Sequence, residues 1–343
     1  MNIWMILLFS LVKIFIIVNV MLITVSYLVY FERRVSAWAQ NRLGPNRVGW
    51  EGVLQPFADV LKLLLKEDIV PDAANKPIHT LAPIIALFVA FTTYAVIPFG
   101  PSISIFGYTV PLVVADINIG ILYVLALTSL GVYAITLAGW SSGSKYSLFG
   151  GIRSSAQMIS YEISMGFSVG GVLLLAGSLR PEAIVEAQQG WMWNAILQPI
   201  GFITFLVSAF AETNRLPFDL PEAEPELVGG YHTEYSSMKF AGFFLAEYAN
   251  MIVASAMIVT LYLGGWRFPY LENFGLSAGW FAIISVITFF VKVAALLFFF
   301  IWVRWSLPRF RYDQLMNLGW KVMFPLSLLN IIWVAALIMI FKI

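Results

Sequence analysis

The chain has 343 residues, of which 60% are hydrophobic and 11% are charged, and its formal net charge is +1. This balance excludes an ordinary soluble domain and gives no reason to expect a nucleic-acid partner. The sequence contains no cysteine and two histidines, so it has no ligands for an iron-sulfur cluster and no attachment site for a c-type haem. Neither a GxGxxG nor a P-loop glycine pattern occurs, and any redox chemistry therefore needs electrons from a partner.

Eight apolar stretches are each about the length that crosses a hydrocarbon core of roughly 30 Å. They cover residues 3–30, 79–98, 116–139, 156–176, 195–211, 240–263, 279–303 and 321–341. The first lacks a small-residue cleavage site and is interpreted as a retained span. The sequence predicts an all-α polytopic membrane protein with about eight transmembrane helices, forming a single transmembrane domain over residues 1–343.

Basic residues are concentrated in the connections that follow spans one, three, five and seven. By the positive-inside rule, these connections face the cytoplasm or matrix and both termini face outward. Three of the inner connections carry most of the remaining chemistry: residues 31–78, the acidic connection 212–239 and the basic connection 304–320.

The first inner connection contains a helical pattern too short to span the membrane. In residues 50–68 the apolar side chains recur on one face, and Gln55, Asp59, Lys62 and Lys66 form the opposite stripe. This pattern predicts an amphipathic helix in the plane of the interface after the first span. Its polar face has two interpretations: a solvated membrane surface, or the lining of a surface cavity that includes Asp59 and Lys62.

Ionisable residues also occur within the predicted spans, where charge is costly and usually functional. Glu162 and Glu247 lie roughly 10 Å inside the inner boundary at 1.5 Å per residue. Lys292 lies nearer mid-depth, and Glu212 lies at the inner end of span five. We expect these groups to form a proton route, although a long lysine side chain can also reach a neighbouring helix for a structural purpose.

The acidic connection contains the segment PEAEPE, whose two prolines exclude a regular helix. An extended backbone would place Glu222, Glu224 and Glu226 about 7 Å apart along the chain. Like charges so close oppose simultaneous ionisation, so part of the cluster would hold a proton near neutral pH when partly desolvated. The segment is therefore a candidate proton-handling site and the predicted start of the route through Glu212.

The basic connection supplies charges opposite to those of the acidic one. We expect it to hold the two connections together through ion pairs, because attraction between opposite charges stabilises their ionised forms. The candidate interface and ion-pair residues are Arg304, Arg309, Arg311 and Asp313.

Three long motifs carry a resemblance to a known family. They are ERRVSAWAQNRLGPNRVGWEGVLQPFADVLKLLLKE from residue 32, ETNRLPFDLPEAEPELVGG from residue 212 and RWSLPRFRYDQLM from residue 304. With the number of spans, they make the chain similar over essentially its whole length to the membrane subunit at the junction of the two arms of respiratory complex I. In the bacterial enzyme this is the H-type membrane component, and in the mitochondrial enzyme it is subunit 1.

The resemblance implies a subunit of a proton-translocating NADH-quinone oxidoreductase that is not catalytic alone. Electrons would pass from NADH through flavin and iron-sulfur clusters in partner subunits to a quinone, while this chain binds no metal or cofactor. The implied partners are the soluble arm on the cytoplasmic or matrix side, the small and antiporter-like membrane subunits, the quinone and the lipid bilayer. The implied location is a bacterial inner membrane rather than a mitochondrial one.

The resemblance also implies that this subunit provides the quinone entrance and binding passage. An isoprenoid quinone needs an apolar portal for its tail and polar groups near its head, which the end of span one, the amphipathic helix and the acidic connection can supply. The predicted passage residues are Arg34, Trp38, Arg42, Asn46, Arg47, Phe57, Asp59, Lys62, Arg215 and Tyr235. For the arginines, anchoring of the neighbouring soluble subunits is the alternative role.

Two other functions remain open at this stage. A related membrane subunit serves hydrogenase-type complexes. Whether the soluble subunits that copurify with the chain include a flavin NADH module distinguishes these complexes from complex I. A solitary ion-coupled carrier would use the buried glutamates and Lys292 to bind substrate and would be active alone. The absence of a visible internal repeat disfavours a carrier built from two related halves.

Overall fold

The computed structural model describes residues 3–105, 108–190, 192–220, 228–269 and 277–341. The helices in these ranges are α1 Ile3–Ala39, α2 Gln55–Leu65, α3 Lys76–Thr93, α4 Gly120–Ser141, α5 Lys145–Ala176, α6 Pro181–Ala187, α7 Asn194–Leu197, α8 Pro199–Glu212, α9 Ser237–Tyr262, α10 Ala278–Ser306, α11 Tyr312–Leu318 and α12 Phe324–Phe341. A π-helical turn, Gly319–Met323, joins α11 to α12. A small antiparallel hairpin of β1 Gly100–Ile105 and β2 Tyr108–Leu112 lies between α3 and α4.

Seven helical segments in the described ranges are long and apolar enough to cross a membrane. They contain α1, α3, α4, α5, α9, α10 and the continuous helix from α11 to α12, which confirms the predicted all-α polytopic membrane protein.

The fifth predicted span is divided into α7 and α8. Helix α8 has 14 residues, or about 21 Å of length, which is less than a hydrocarbon core of about 30 Å. Pro199 at its start has no backbone N–H to continue a helix from α7, which explains where the break falls.

Helix α1 ends at Ala39 rather than near residue 30, where the predicted span stops. Charged residues and Trp38 therefore lie on the last turns of a helix instead of in a loop. Helix α5 likewise begins at Lys145, before the predicted start of its span. Hydropathy marks the apolar part of such helices but not the polar turns that continue them beyond the membrane.

Helix α9 is the centre of the bundle, and most of its side chains are buried against neighbouring helices. Small residues such as Ala249 and Ala256 are fully buried and allow the close helix approach that stabilises membrane bundles. Helices α1 and α12 are peripheral, with most of their apolar surface outside the core. The interior surrounding α9 is therefore the place where a polar site could be shielded from lipid.

The predicted amphipathic helix is present as α2, although it is limited to 11 residues. Phe57, Leu61, Leu64 and Leu65 on this helix are each more than half exposed. The segment around its C-terminal end is attached to the start of α9, because Ser237 donates to the Leu63 carbonyl at 3.0 Å and Ser236 to the Glu67 carbonyl at 3.1 Å.

Gly150 of α5 packs directly on the backbone that precedes α9. A Cβ at this position would lie 2.7 Å from Gly230 Cα and 2.9 Å from Tyr231 N. We expect Gly150→Ala to destabilise the protein by about 1–3 kcal/mol through overpacking, measured as a lower Tm of the purified complex. Gly166→Ala on the same helix is the matched control, since no atom lies within 4 Å of its Cβ position; equal Tm values for the two variants would contradict this packing argument.

Candidate functional site

A cavity lies between α3, α4, α5, α8 and α9. Most of its lining is apolar, but Glu212, Glu247, Asn250 and Thr128 also face it. Its volume is about 70 Å³, more than the roughly 10–15 Å³ that one buried water needs. The cavity can therefore hold water beside two carboxyl groups.

Two of the predicted proton-path glutamates, Glu212 and Glu247, line this cavity, and a third interacts with Glu212. Glu162 of α5 accepts a hydrogen bond from Ser129 of α4. Glu162 also interacts electrostatically with Glu212, while Thr128 hydrogen-bonds to Glu212. The fold thus brings carboxyl groups from α8 and α9 to one cavity and places Glu162 of α5 close enough to Glu212 for their charges to interact.

Arg215, just after α8, closes the inner side of this arrangement with a buried positive charge. Its Nε lies 2.8 Å from Glu247 Oε1, its Nη1 lies 3.3 Å from Glu32 Oε2, and only 4% of its side chain is exposed. Burial opposes the charge, but attraction from Glu247 and Glu32 outweighs it and raises the pKa of Arg215 well above its usual value. Arg215 is therefore a permanent cation between the cavity and α1.

Glu32 on α1 connects this cation to two further helices. Tyr248 of α9 donates to Glu32 Oε2 at 2.7 Å, and its ring lies under the Arg215 guanidinium at 4.1 Å. Arg304 of α10 also pairs with Glu32. We call Glu32, Arg215, Glu247, Tyr248 and Arg304 the buried ion cluster.

The chain after α8 is held in place up to the start of the acidic segment. Gln157 donates to the carbonyls of Ala211 at 2.7 Å and Phe218 at 2.6 Å. Arg309 pairs with the buried Asp219 at 3.1 Å. Glu222, Glu224 and Glu226 lie outside the described residues.

The predicted passage residues near the end of α1 and α2 lie mainly at the surface. Trp38 and Phe57 are exposed, as are the residues Arg42, Asn46, Arg47 and Lys62. Below them, Asp59 pairs with Arg33 at 2.8 Å and accepts from Gln55 at 3.0 Å. Arg34 bonds to the Tyr30 hydroxyl at 3.0 Å and to the Glu51 backbone.

Lys292, Arg311 and Asp313 were predicted site residues, but they lie away from the cavity and the buried ion cluster. Lys292 donates to the carbonyls of Leu263, Gly265 and Arg267, so it anchors the turn that follows α9 at the end opposite Arg215. Arg311 pairs locally with Asp313, and both are exposed.

Tyr235 is buried rather than exposed at a passage. Its ring stacks on His79 with centroids 3.9 Å apart, and its hydroxyl contacts Ser141 at 3.3 Å. Burial raises the pKa of Tyr235 to about 12, so the phenol is neutral at physiological pH.

Glu32 and Tyr248 are site residues that the sequence analysis missed. Met21, Val25, Leu28 and Glu32 are all buried at the helical spacings i, i+4, i+7 and i+11. Continuing the helix past residue 30 would have placed Glu32 on the buried stripe. The missed signal was therefore the length of α1 rather than an unusual motif.

The described residues contain no group of three or more His, Cys, Asp or Glu side chains suited to a metal ion. The polar groups assembled around the cavity and buried ion cluster instead provide carboxyls, hydroxyls and a fixed cation. This set can bind, exchange and electrostatically control protons.

Residues 12–335 match the family described as NADH dehydrogenase. The chain is 55% identical to NADH-quinone oxidoreductase subunit 8 of Rhodothermus marinus over 338 residues, covering 96% of each chain. It is 52% identical to the H-type component of the same enzyme from Salinibacter ruber over 341 residues, with 95% of each covered. It is 50% identical to an H-type component from Cytophaga hutchinsonii over 323 residues, with 94% of each covered.

Removing Arg215 should be severe because it leaves Glu32 and Glu247 without their shared buried cation. We expect Arg215→Met to destabilise the chain by about 3–5 kcal/mol and to lower the amount of assembled complex recovered from membranes. Arg311→Met is the matched control; its exposed pair with Asp313 should contribute about 0–1 kcal/mol. Normal recovery and Tm in Arg215→Met would show that the buried ion cluster is dispensable.

Proposed function

The chain belongs to the NADH dehydrogenase family as an H-type membrane subunit of NADH-quinone oxidoreductase, and we propose that it couples quinone chemistry to proton uptake. The carboxylate-lined cavity is the start of its proton path, and the surface around the end of α1 and α2 is its quinone passage. The position of Glu212 and Glu247 at one cavity, with Glu162 beside Glu212, is the observation that carries this proposal.

The cavity supports the proton path because its carboxyls are shielded by apolar side chains. In such surroundings the charge of one carboxylate strongly affects proton binding at the next. Arg215 holds Glu247 as an ion pair, whereas Glu212 faces Glu162. A change in charge on the inner side can therefore shift proton occupancy along this group.

Quinone reduction supplies such a change when it draws protons or alters charge near the inner connections. Glu222, Glu224 and Glu226 follow Leu220 in the chain and form the inner entrance of the proposed path by their position in sequence. Glu212, Glu247 and Glu162 then carry the response toward the adjoining antiporter-like subunits. Lys292 anchors a different turn and has no step in this path.

The quinone passage is supported by an apolar surface placed beside charged groups. Phe57 and Leu61 of α2 and Trp38 of α1 expose their side chains, which suits an isoprenoid tail. The Arg33–Asp59 pair and Arg34 lie next to that surface and suit a polar head group. Arg42 and Arg47, which are exposed, are available to the soluble-arm subunits instead.

We place this multi-pass protein in a bacterial inner membrane, with both termini outward. The charge distribution of the connections supports this orientation. Purification through a tag on this chain should recover a multi-subunit complex with inhibitor-sensitive NADH oxidation by a quinone analogue. Recovery of the chain alone would favour a carrier, and recovery with a metal hydrogenase but no flavin subunit would favour a hydrogenase-type complex.

Glu212→Gln tests the proton path because it keeps the side-chain size but removes the titrating carboxyl. In the complex reconstituted in vesicles, we expect lower quinone-dependent proton uptake, with electron transfer from NADH to an artificial acceptor unchanged. Glu186→Gln, at an exposed position of α6, is the control and should leave both activities intact. Equal loss of both activities in Glu212→Gln would indicate failed assembly, and full proton uptake would refute the path.

Asp59→Asn tests the passage because it removes the charge that pairs with Arg33 and reorganises the wall beneath Phe57. We expect a higher apparent KM for quinone, while the KM for NADH stays the same. Asp313→Asn, which alters an exposed local pair, is the control. An unchanged quinone KM in Asp59→Asn would remove this residue from the passage.

A further inference from the structure

The interface between α5 and α8 contains buried hydroxyl groups from both helices. Ser168 of α5 contacts Thr204 of α8 through their hydroxyl oxygens at 2.5 Å. The helices run antiparallel, so one turn inward from this pair places Ser164 opposite Ser208. We call these four residues the hydroxyl seam.

The inner pair of the seam has unmet hydrogen-bonding capacity. Ser164 and Ser208 are fully buried, and among the residues that the structure describes neither hydroxyl has a hydrogen-bond partner. Buried polar groups are nearly always satisfied by protein or by ordered water. Two facing hydroxyls without protein partners therefore indicate a position for bridging water.

The seam begins next to the carboxylate cavity. Ser208 precedes Glu212 by four residues on α8, so the two side chains lie one turn apart on nearly the same face. Glu212 lines the cavity, and so does Phe205 on the same helix. A water molecule in the cavity can therefore hydrogen-bond directly to a water molecule at Ser208.

Toward the outer side, the seam continues into buried amides. The same antiparallel register places Gly171 opposite Gly201, and a Cβ on either would lie 2.6 Å from Asn330 Nδ2 of α12. Asn330 accepts from the Gly201 backbone N–H at 2.9 Å and donates to Gln198 Oε1 at 3.1 Å. The Gln198 Nε2 also lacks a partner within the described part of the chain.

Gln198 lies where α7 meets α8, at the outer end of this shortened helix pair. Polar side chains thus occur on one face of α8 at positions 204, 208 and 212, and Gln198 directly precedes the helix. Simple attraction between helices would require only paired hydroxyls. The unpaired groups at both ends of the Ser168–Thr204 contact distinguish this seam from such packing.

We propose that the hydroxyl seam is a hydrated proton-conducting path from the carboxylate cavity to the outer side of this subunit. The inference rests on the proposed proton function of Glu212 and adds an outlet within the same chain. Each hydroxyl or water accepts a proton at its oxygen and releases its own to the next oxygen. The carboxyl that gives up the first proton becomes a carboxylate, and the intervening groups end neutral.

Thr204→Val tests the path while keeping the shape of the side chain. In vesicles containing the whole complex, we expect a loss of outward proton release during NADH oxidation by quinone, with electron transfer to an artificial acceptor unchanged. Thr260→Val is the matched control, since Thr260 is also buried and donates to the carbonyl four residues earlier, but on α9. Thr204→Ser restores a hydroxyl and should restore proton release.

A second variant removes the unpaired hydroxyls themselves. Ser164→Val combined with Ser208→Val fills the proposed water position and should also lower proton release, whereas Ser255→Val combined with Ser285→Val changes buried, unpartnered hydroxyls outside the seam. Normal release in either seam variant that assembles, or equal loss in its control, would overturn the path. The recovery and the Tm of the assembled complex identify variants that fail to fold. If the double serine variant fails to fold, proton release by Thr204→Val alone tests the path.

Measurements on Glu212→Gln separate this inference from the function on which it rests. Loss of proton uptake in Glu212→Gln with normal release in Thr204→Val would retain the cavity as a proton site and reject the seam. Normal uptake in Glu212→Gln would reject the proposed function itself.

Discussion

The attraction between Arg215 and its two carboxylates, Glu32 and Glu247, is the interaction on which the inner half of the molecule depends. It joins α1 and α9 through the residue that follows α8, and Arg304 adds α10 through Glu32. Each of these charges would be costly alone in a buried position. Together they fix four parts of the chain around one cation, so the cavity has a defined inner boundary.

Helix α8 shows how one break in a helix serves several parts of the architecture. Its N-terminal end lies beside Gln198 and Asn330, its middle carries Thr204 and Ser208, and its C-terminal end carries Glu212 beside the cavity. Arg215 follows within three residues. A short helix thus aligns an amide group, hydroxyls, a carboxyl and a cation along a single direction through the protein.

Much of this organisation is predictable from the sequence because its causes are local. Apolar length predicts the spans, the stripe of α2 predicts an interfacial helix, and the cost of burying charge identifies Glu162 and Glu247. The meeting of these residues depends on packing between distant helices, which periodicity does not specify. Lys292 illustrates the limit: depth alone favours a relay, whereas its three carbonyl contacts show that it anchors a turn.

The attachment of α2 to α9 gives the surface a mechanical connection to the interior. Ser237 begins α9 and holds the Leu63 carbonyl, while Glu247 lies on the same helix about 15 Å farther along its axis. A molecule that displaces α2 therefore strains the hydrogen bonds at the N-terminal end of the helix that carries Glu247.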